Sequence, residues 1–141
     1  AYLAGGAYIL PRDQLKLAEI HASGGVWKSE RILSRDWVEN ASRPRIAVTP
    51  ETTGMPKTAF ENAYFPSRQA LGWREHDIVV GERSFRSCEI TGNGGQYILV
   101  VPELELSVVF NGGNYYKGYI RGRWRDEYEG GYLIHALVKG Q

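Results

Sequence analysis

The stretch Ile90-Thr91-Gly92-Asn93-Gly94-Gly95-Gln96-Tyr97-Ile98-Leu99-Val100-Val101-Pro102-Glu103-Leu104-Glu105-Leu106-Ser107-Val108-Val109-Phe110-Asn111-Gly112-Gly113-Asn114-Tyr115 decides the fold. A glycine-rich bend feeds a short apolar run at 96–101. A Pro-Glu turn then leads to a second apolar run at 106–110. Proline suits the second position of a tight turn, so the two runs read as paired antiparallel strands. Such a bend holds backbone N–H groups at a rigid sheet edge, the donor set that binds an oxyanion.

Working outward, residues 70–80 and 85–91 read as two further strands separated by Gly81. Before them, 45–67 shows little periodicity and contains Pro50, Gly54, Pro56 and Pro66, so a long loop is expected. The N-terminal third is helical in pattern. Gly5-Gly6 supplies a bend, Pro11 fits a first helical position, and Asp13 fits the first turn. Leu15, Leu17, Ala18, Ile20 and Ala22 give the expected buried face, and Ser23-Gly24-Gly25 stops the helix. A hairpin-like piece at 26–33 leads to Ser34, an N-cap for a second helix ending near Ala41, before Pro44. Residues 119–138 form a plausible last helix, with a break expected at Gly130-Gly131.

Composition sets outer limits. The 141 residues suffice for one core, and 43% hydrophobic with 23% charged residues is ordinary for a globular domain. A formal charge of +1 gives no electrostatic case for a nucleic-acid partner. Arg121, Arg123 and Arg125 are offset at once by Asp126, Glu127 and Glu129. No run approaches the roughly 20 apolar residues of a membrane span. Cys88 is the single cysteine, so no internal disulfide forms, and it reads as a small buried hydrophobe. His21, His76 and His135 have no metal-ligand spacing and read as structural. Trp27, Trp37, Trp73 and Trp124 are expected in the core. Asp36 and Glu39 read as solvent-facing helix residues. The chain opens on Ala1, which suggests a piece of something longer or a processed product.

Several motifs in order carry a resemblance. Thr91-Gly92-Asn93-Gly94-Gly95-Gln96, Val100-Val101-Pro102-Glu103 and Asn111-Gly112-Gly113-Asn114-Tyr115 come first. Upstream stand Ala4-Gly5-Gly6 with Leu10-Pro11-Arg12-Asp13-Gln14-Leu15, Gly24-Gly25-Val26-Trp27, Ile32-Leu33-Ser34-Arg35-Asp36-Trp37-Val38 and Gln69-Ala70-Leu71-Gly72-Trp73. Together they resemble the C-terminal portion of the serine β-lactamase/penicillin-binding-protein-like hydrolases, most of all the class C-like branch of esterases, D-aminopeptidases and 6-aminohexanoate-dimer hydrolases. The resemblance implies an α+β fold: a partial domain over 1–141, with a helical part at 1–43 and a sheet plus C-terminal helix at 68–141.

The chemistry that the resemblance implies is acyl transfer, with a Ser-x-x-Lys nucleophile, a Tyr-x-Asn element and a third element at the sheet edge. Neither of the first two motifs occurs in this sequence, so the chain is expected to be inert alone and to need a missing N-terminal portion. Placing Ile90-Thr91-Gly92 on the family's Lys-Thr-Gly makes Asn93 the backbone oxyanion donor. Placing Asn93-Gly94-Gly95 there makes Gln96 the donor. Ile90, Thr91, Gly92, Gly94, Gly95 and Tyr115 would then border the substrate, with Tyr115 and Tyr116 as cleft wall or packing residues. Either register replaces the family's lysine with an uncharged residue, which favours a neutral ester or amide substrate. No cofactor and no metal is implied. The family's last strand pairs with an N-terminal strand, so 106–110 is expected to present an open edge and to bind the missing portion or form a homodimer. The resemblance suggests a periplasmic or secreted setting, and a cytoplasmic one stays open. The rival readings are a non-catalytic binding module that retains the fold and an unrelated α+β interaction domain.

Overall fold

The computed structural model describes residues 8–63, 67–92, 94–113 and 115, with the backbone alone at 61–63. The expectations for Gly5-Gly6, Asn93, Tyr116 and the helix at 119–138 fall outside these residues.

Helix α1 (Pro11–Ala22) begins on Pro11, whose missing N–H costs nothing at that position. It ends where Gly25 donates its N–H to the Ile20 carbonyl at 2.7 Å. Gly25 is required there: at φ +97°, an added Cβ would stand 2.2 Å from the Leu33 carbonyl oxygen. A two-stranded hairpin follows, β1 (Val26–Trp27) with β2 (Glu30–Arg31). Helix α2 (Arg35–Ser42) is capped by Ser34, whose Oγ accepts the Trp37 N–H at 3.1 Å.

The described part of the expected loop at 45–67 instead holds regular elements. It contains β3 (Ile46–Val48), α3 (Pro50–Thr53) and α4 (Lys57–Ala63). Pro50 is the first residue of α3, not a breaker, because Thr49 and Thr52 exchange side-chain-to-backbone bonds around it in a capping box.

Six strands form one antiparallel sheet in chain order: β3, β4 (Ser67–Gln69), β5 (Arg74–Val80), β6 (Arg83–Gly92), β7 (Gln96–Val101) and β8 (Leu106–Asn111). The protein is therefore α+β with an antiparallel sheet. The strand expected over 70–80 starts only at Arg74. Residues 70–73 are a turn, tied to α2 by the Leu71 N–H on the Ala41 carbonyl at 3.0 Å. Between β7 and β8 the chain makes a single 3₁₀ turn (Pro102–Leu104), and Glu105 takes a left-handed φ of +49°.

Both sheet faces carry buried apolar residues. On one, Cys88, Ile98 and Val100 meet Ala18 and Leu15 of α1, together with Ala41, Ala70 and Trp73. On the other, Leu99 and Val101 cluster with Ile78, Val80, Phe85 and Tyr97. Burying each such aliphatic side chain contributes about 1.5–3 kcal/mol. The α1 face is narrower than the periodicity predicts. Ala18 is fully buried, but Leu17 is 51% exposed and Ala22 is exposed, because α1 lies on the sheet through one row of residues. Trp37 is likewise no core residue, at 57% exposure on the outer side of α2. No helix among the described residues is long and apolar enough to cross a membrane.

Candidate functional site

The β6–β7 hairpin tip is set by pairing. Gly92 lies opposite Gln96, and Thr91 opposite Tyr97, and Gly94 and Gly95 lie in the bend between these strands. Gly94 and Gly95 take φ values of +83° and +88°, backbone that side-chain-bearing residues rarely adopt. The end of β8 folds over this bend. The Gly112 N–H donates to the Gly95 carbonyl at 2.9 Å, and Gln96 Nε2 donates to the Gly112 carbonyl at 2.7 Å. Gln96 Nε2 also lies 3.5 Å from the Tyr115 hydroxyl, and the Tyr115 ring rests against Gly94.

The structure thus brings Gly94, Gly95, Gln96 and Tyr115 together, with Gly112 as a fifth member. It separates Ile90 from Thr91. Ile90 pairs with Ile98 on the α1 face, whereas Thr91 pairs with Tyr97 on the other. Gln96 is an inner-strand residue, opposite Gly92 on one side and Asn111 on the other, and its side chain braces the tip. Tyr115 is 55% exposed, so its ring presents one open side above the bend. Asn93 lies outside the described residues.

A polar cluster that sequence reading missed lies on the same face as Thr91. Glu89 is 0% exposed; the Tyr97 hydroxyl donates to its Oε2, and Arg74 Nη1 is 3.7 Å from its Oε1. Next to it Ser87 Oγ donates to the His76 carbonyl at 2.8 Å and sits 3.2 Å from His76 Nδ1. A serine beside a histidine has the outline of a nucleophile and its base. Here the serine is fully buried and its hydroxyl hydrogen is committed to a carbonyl, so the pair braces β5 against β6. The pairing of His76 with Ser87 and of Arg74 with Glu89 spans 11 and 15 residues, and nothing local in the sequence marks it.

On the α1 face, Glu75 is held by two guanidiniums. Arg68 Nε is 2.7 Å from its Oε1, and Arg86 Nε is 2.8 Å from its Oε2. Arg68 also reaches Asp77 at 3.1 Å. Hydrogen bonds to Glu75 and then Asp77 raise the Arg68 pKa above its ordinary value. Burial pushes the Cys88 thiol up, which leaves it a neutral, unreactive hydrophobe. No group of three or more His, Cys, Asp or Glu among the described residues could hold a metal ion.

A groove of about 530 Å³ lies elsewhere, lined by Leu15, Glu19, Ala22 and Ser23 of α1 and the segment after it, and by Pro102, Glu105, Leu106 and Ser107. It sits at the start of β8, while the glycine bend sits at its end, roughly 17 Å away along a six-residue strand. No protein-family model and no curated protein matches this chain.

Proposed function

We propose that this chain is the C-terminal portion of a β-lactamase-like serine hydrolase that works by acyl transfer on a neutral ester or amide. One observation carries the reading. A left-handed Gly94-Gly95 bend ends two paired strands, is braced by Gln96 and Gly112, and has a half-exposed tyrosine lying over it. This is a rigid platform, and rigidity is what an oxyanion donor needs, because donors fixed in advance need not reorganise as charge develops. The serine of the N-terminal portion would attack the carbonyl and lose its proton to a neighbouring base. The carbonyl oxygen would become an oxyanion near Asn93, or near Gln96 in the second register. The alcohol or amine would leave with a proton, and water would then release the acyl group.

The neutral residues at 90–93 favour a neutral substrate over a carboxylate-bearing one. The reading also gives β8 a partner. It is the last strand of the sheet among the described residues, and an N-terminal strand of the same protein or a second copy would pair with its outer edge.

The test is to assay the full-length protein that contains this chain on p-nitrophenyl esters, short amides and a chromogenic cephalosporin, with a serine-directed phosphonate as trap. Ester turnover and a trapped serine upstream of residue 1 are expected. Rapid cephalosporin turnover would overturn the neutral-substrate preference, and absence of any trapped serine would overturn the hydrolase reading. The second reading, a binding module without catalysis, is favoured by the absence of Ser-x-x-Lys and Tyr-x-Asn from these 141 residues. The same full-length sequence and trap separate the two.

A further inference from the structure

The last turn of α1 is fastened to the sheet by a ring pair. His21 stacks on Trp73 with centroids 3.9 Å apart and planes inclined by 21°. Trp73 is itself buried among Ala18, Cys88 and Val100. The charged groups around the imidazole are few. Arg86 of β6 faces it, and Glu75 of β5 has one oxygen engaged by Arg86 and the other by Arg68 of β4. Cys88 of β6 is a neutral thiol. The strands β1, β7 and β8, which also pack on α1, contain no charged residue. Glu19 of α1 and Glu105 before β8 are exposed and line the groove.

We propose that the His21–Trp73 pair is an acid-released clasp, which holds the end of α1 on the sheet while the imidazole is neutral and frees it on protonation, widening the groove that α1 walls. This does not rest on the hydrolase reading. Ala22 and Ser23 follow His21 directly and line that groove opposite Leu106 and Ser107, so the wall moves with the ring.

Two effects favour the imidazolium in place: the face of the tryptophan ring and the carbonyl end of the helix. Burial and then the nearby Arg86 charge oppose it and prevail, lowering the His21 pKa from 6.5 to about 4. Glu75 cannot offset this, because both its oxygens are already taken by arginines. Once α1 lifts, the ring meets water and regains its ordinary affinity for protons. The released state therefore binds the proton more tightly, and its share grows as pH falls from about 6.5 towards about 4. Between pH 7 and pH 5 those two values give a rise of about 20-fold.

Hydrogen exchange tests this, read as protection factors so that intrinsic exchange chemistry cancels. In the wild-type chain, amides at 15–21 should be less protected than those of β7 at pH 7, because α1 lifts without global unfolding, and should lose about 20-fold protection between pH 7 and pH 5. His21→Phe, which keeps an aromatic ring but cannot titrate, should abolish that loss. Protection in α1 equal to that of β7 at pH 7, no loss in α1, or a loss that survives in His21→Phe would each overturn the proposal. Should the variant fail to fold, an NMR titration of the wild-type His21 ring decides. An apparent pKa below about 5 supports the clasp, and one near 6.5 overturns it.

Discussion

A Cβ added to Gly94 would stand 2.7 Å from the ring of Tyr115. Gly94→Ala therefore combines a left-handed backbone, at φ +83°, with a collision against a ring that can still swing towards solvent. The expected cost is about 1–2 kcal/mol. Gly112→Ala should cost more, about 2–3 kcal/mol, because its Cβ would meet the Gly94 carbonyl oxygen at 2.5 Å and backbone cannot rotate away. Gly81→Ala, with nothing within 4 Å, isolates the backbone share at about 1 kcal/mol. Urea midpoints for the three variants check the ranking Gly112, Gly94, Gly81.

Removing the Tyr97 hydroxyl takes a donor from a carboxylate with no access to water. Tyr97→Phe should destabilise by about 1–3 kcal/mol although the ring itself is preserved. Glu89→Gln keeps the shape and should cost less than Glu89→Ala, which also opens a cavity under Thr91. Thermal melts of the three variants would settle the order, and a neutral Tyr97→Phe would count against the hydrogen bond.

Leu99 is fully buried on β7, between β6 and β8. Leu99→Ala is expected to cost about 2–5 kcal/mol, against less than about 1 kcal/mol for the 59%-exposed Leu71→Ala. Guanidinium unfolding monitored by circular dichroism measures both.

Acid should weaken the fold through His21, and the sign follows from its depressed folded value. The unfolded chain takes up the proton near pH 6.5, the folded chain only near pH 4. The stability tied to a neutral His21 is thus present above about pH 6.5 and is lost as pH falls to about 4. With a discount for the ring's partial exposure, the loss is on the order of 2 kcal/mol. Urea titrations at pH 7 and pH 4 should show it in the wild type and not in His21→Phe.

Ser34→Ala should cost about 1 kcal/mol, by removing the acceptor for the Trp37 N–H. The effect should be confined to α2, visible as faster exchange at residues 37 and 38.

Much of the architecture was legible locally. Pro11, Ser34 and the apolar runs opening at Gln96 and Leu106 announce elements whose starts match the structure, because caps and short strand runs are written in adjacent residues. The 45–67 region was misread because Pro50 breaks a helix in one context and begins one in another, and only the Thr49–Thr52 exchange decides. Leu17, Ala22 and Trp37 were misplaced because periodicity gives a face but not how much of it a neighbour covers. Of the candidate site, the glycine bend and Tyr115 were visible as motifs. The bracing by Gln96 and Gly112 was not, since it joins residues 16 apart. The His21–Trp73 stack and the Glu89 cluster depend on strand register and were invisible for the same reason.

Every neighbour relation in the six-strand sheet joins strands consecutive in the chain. No strand must wait for a distant one to be synthesised, so the loop-closure entropy at each step is small. Each strand can zip onto the previous one as it leaves the ribosome, and β8 joins last, beside a meander that is already assembled.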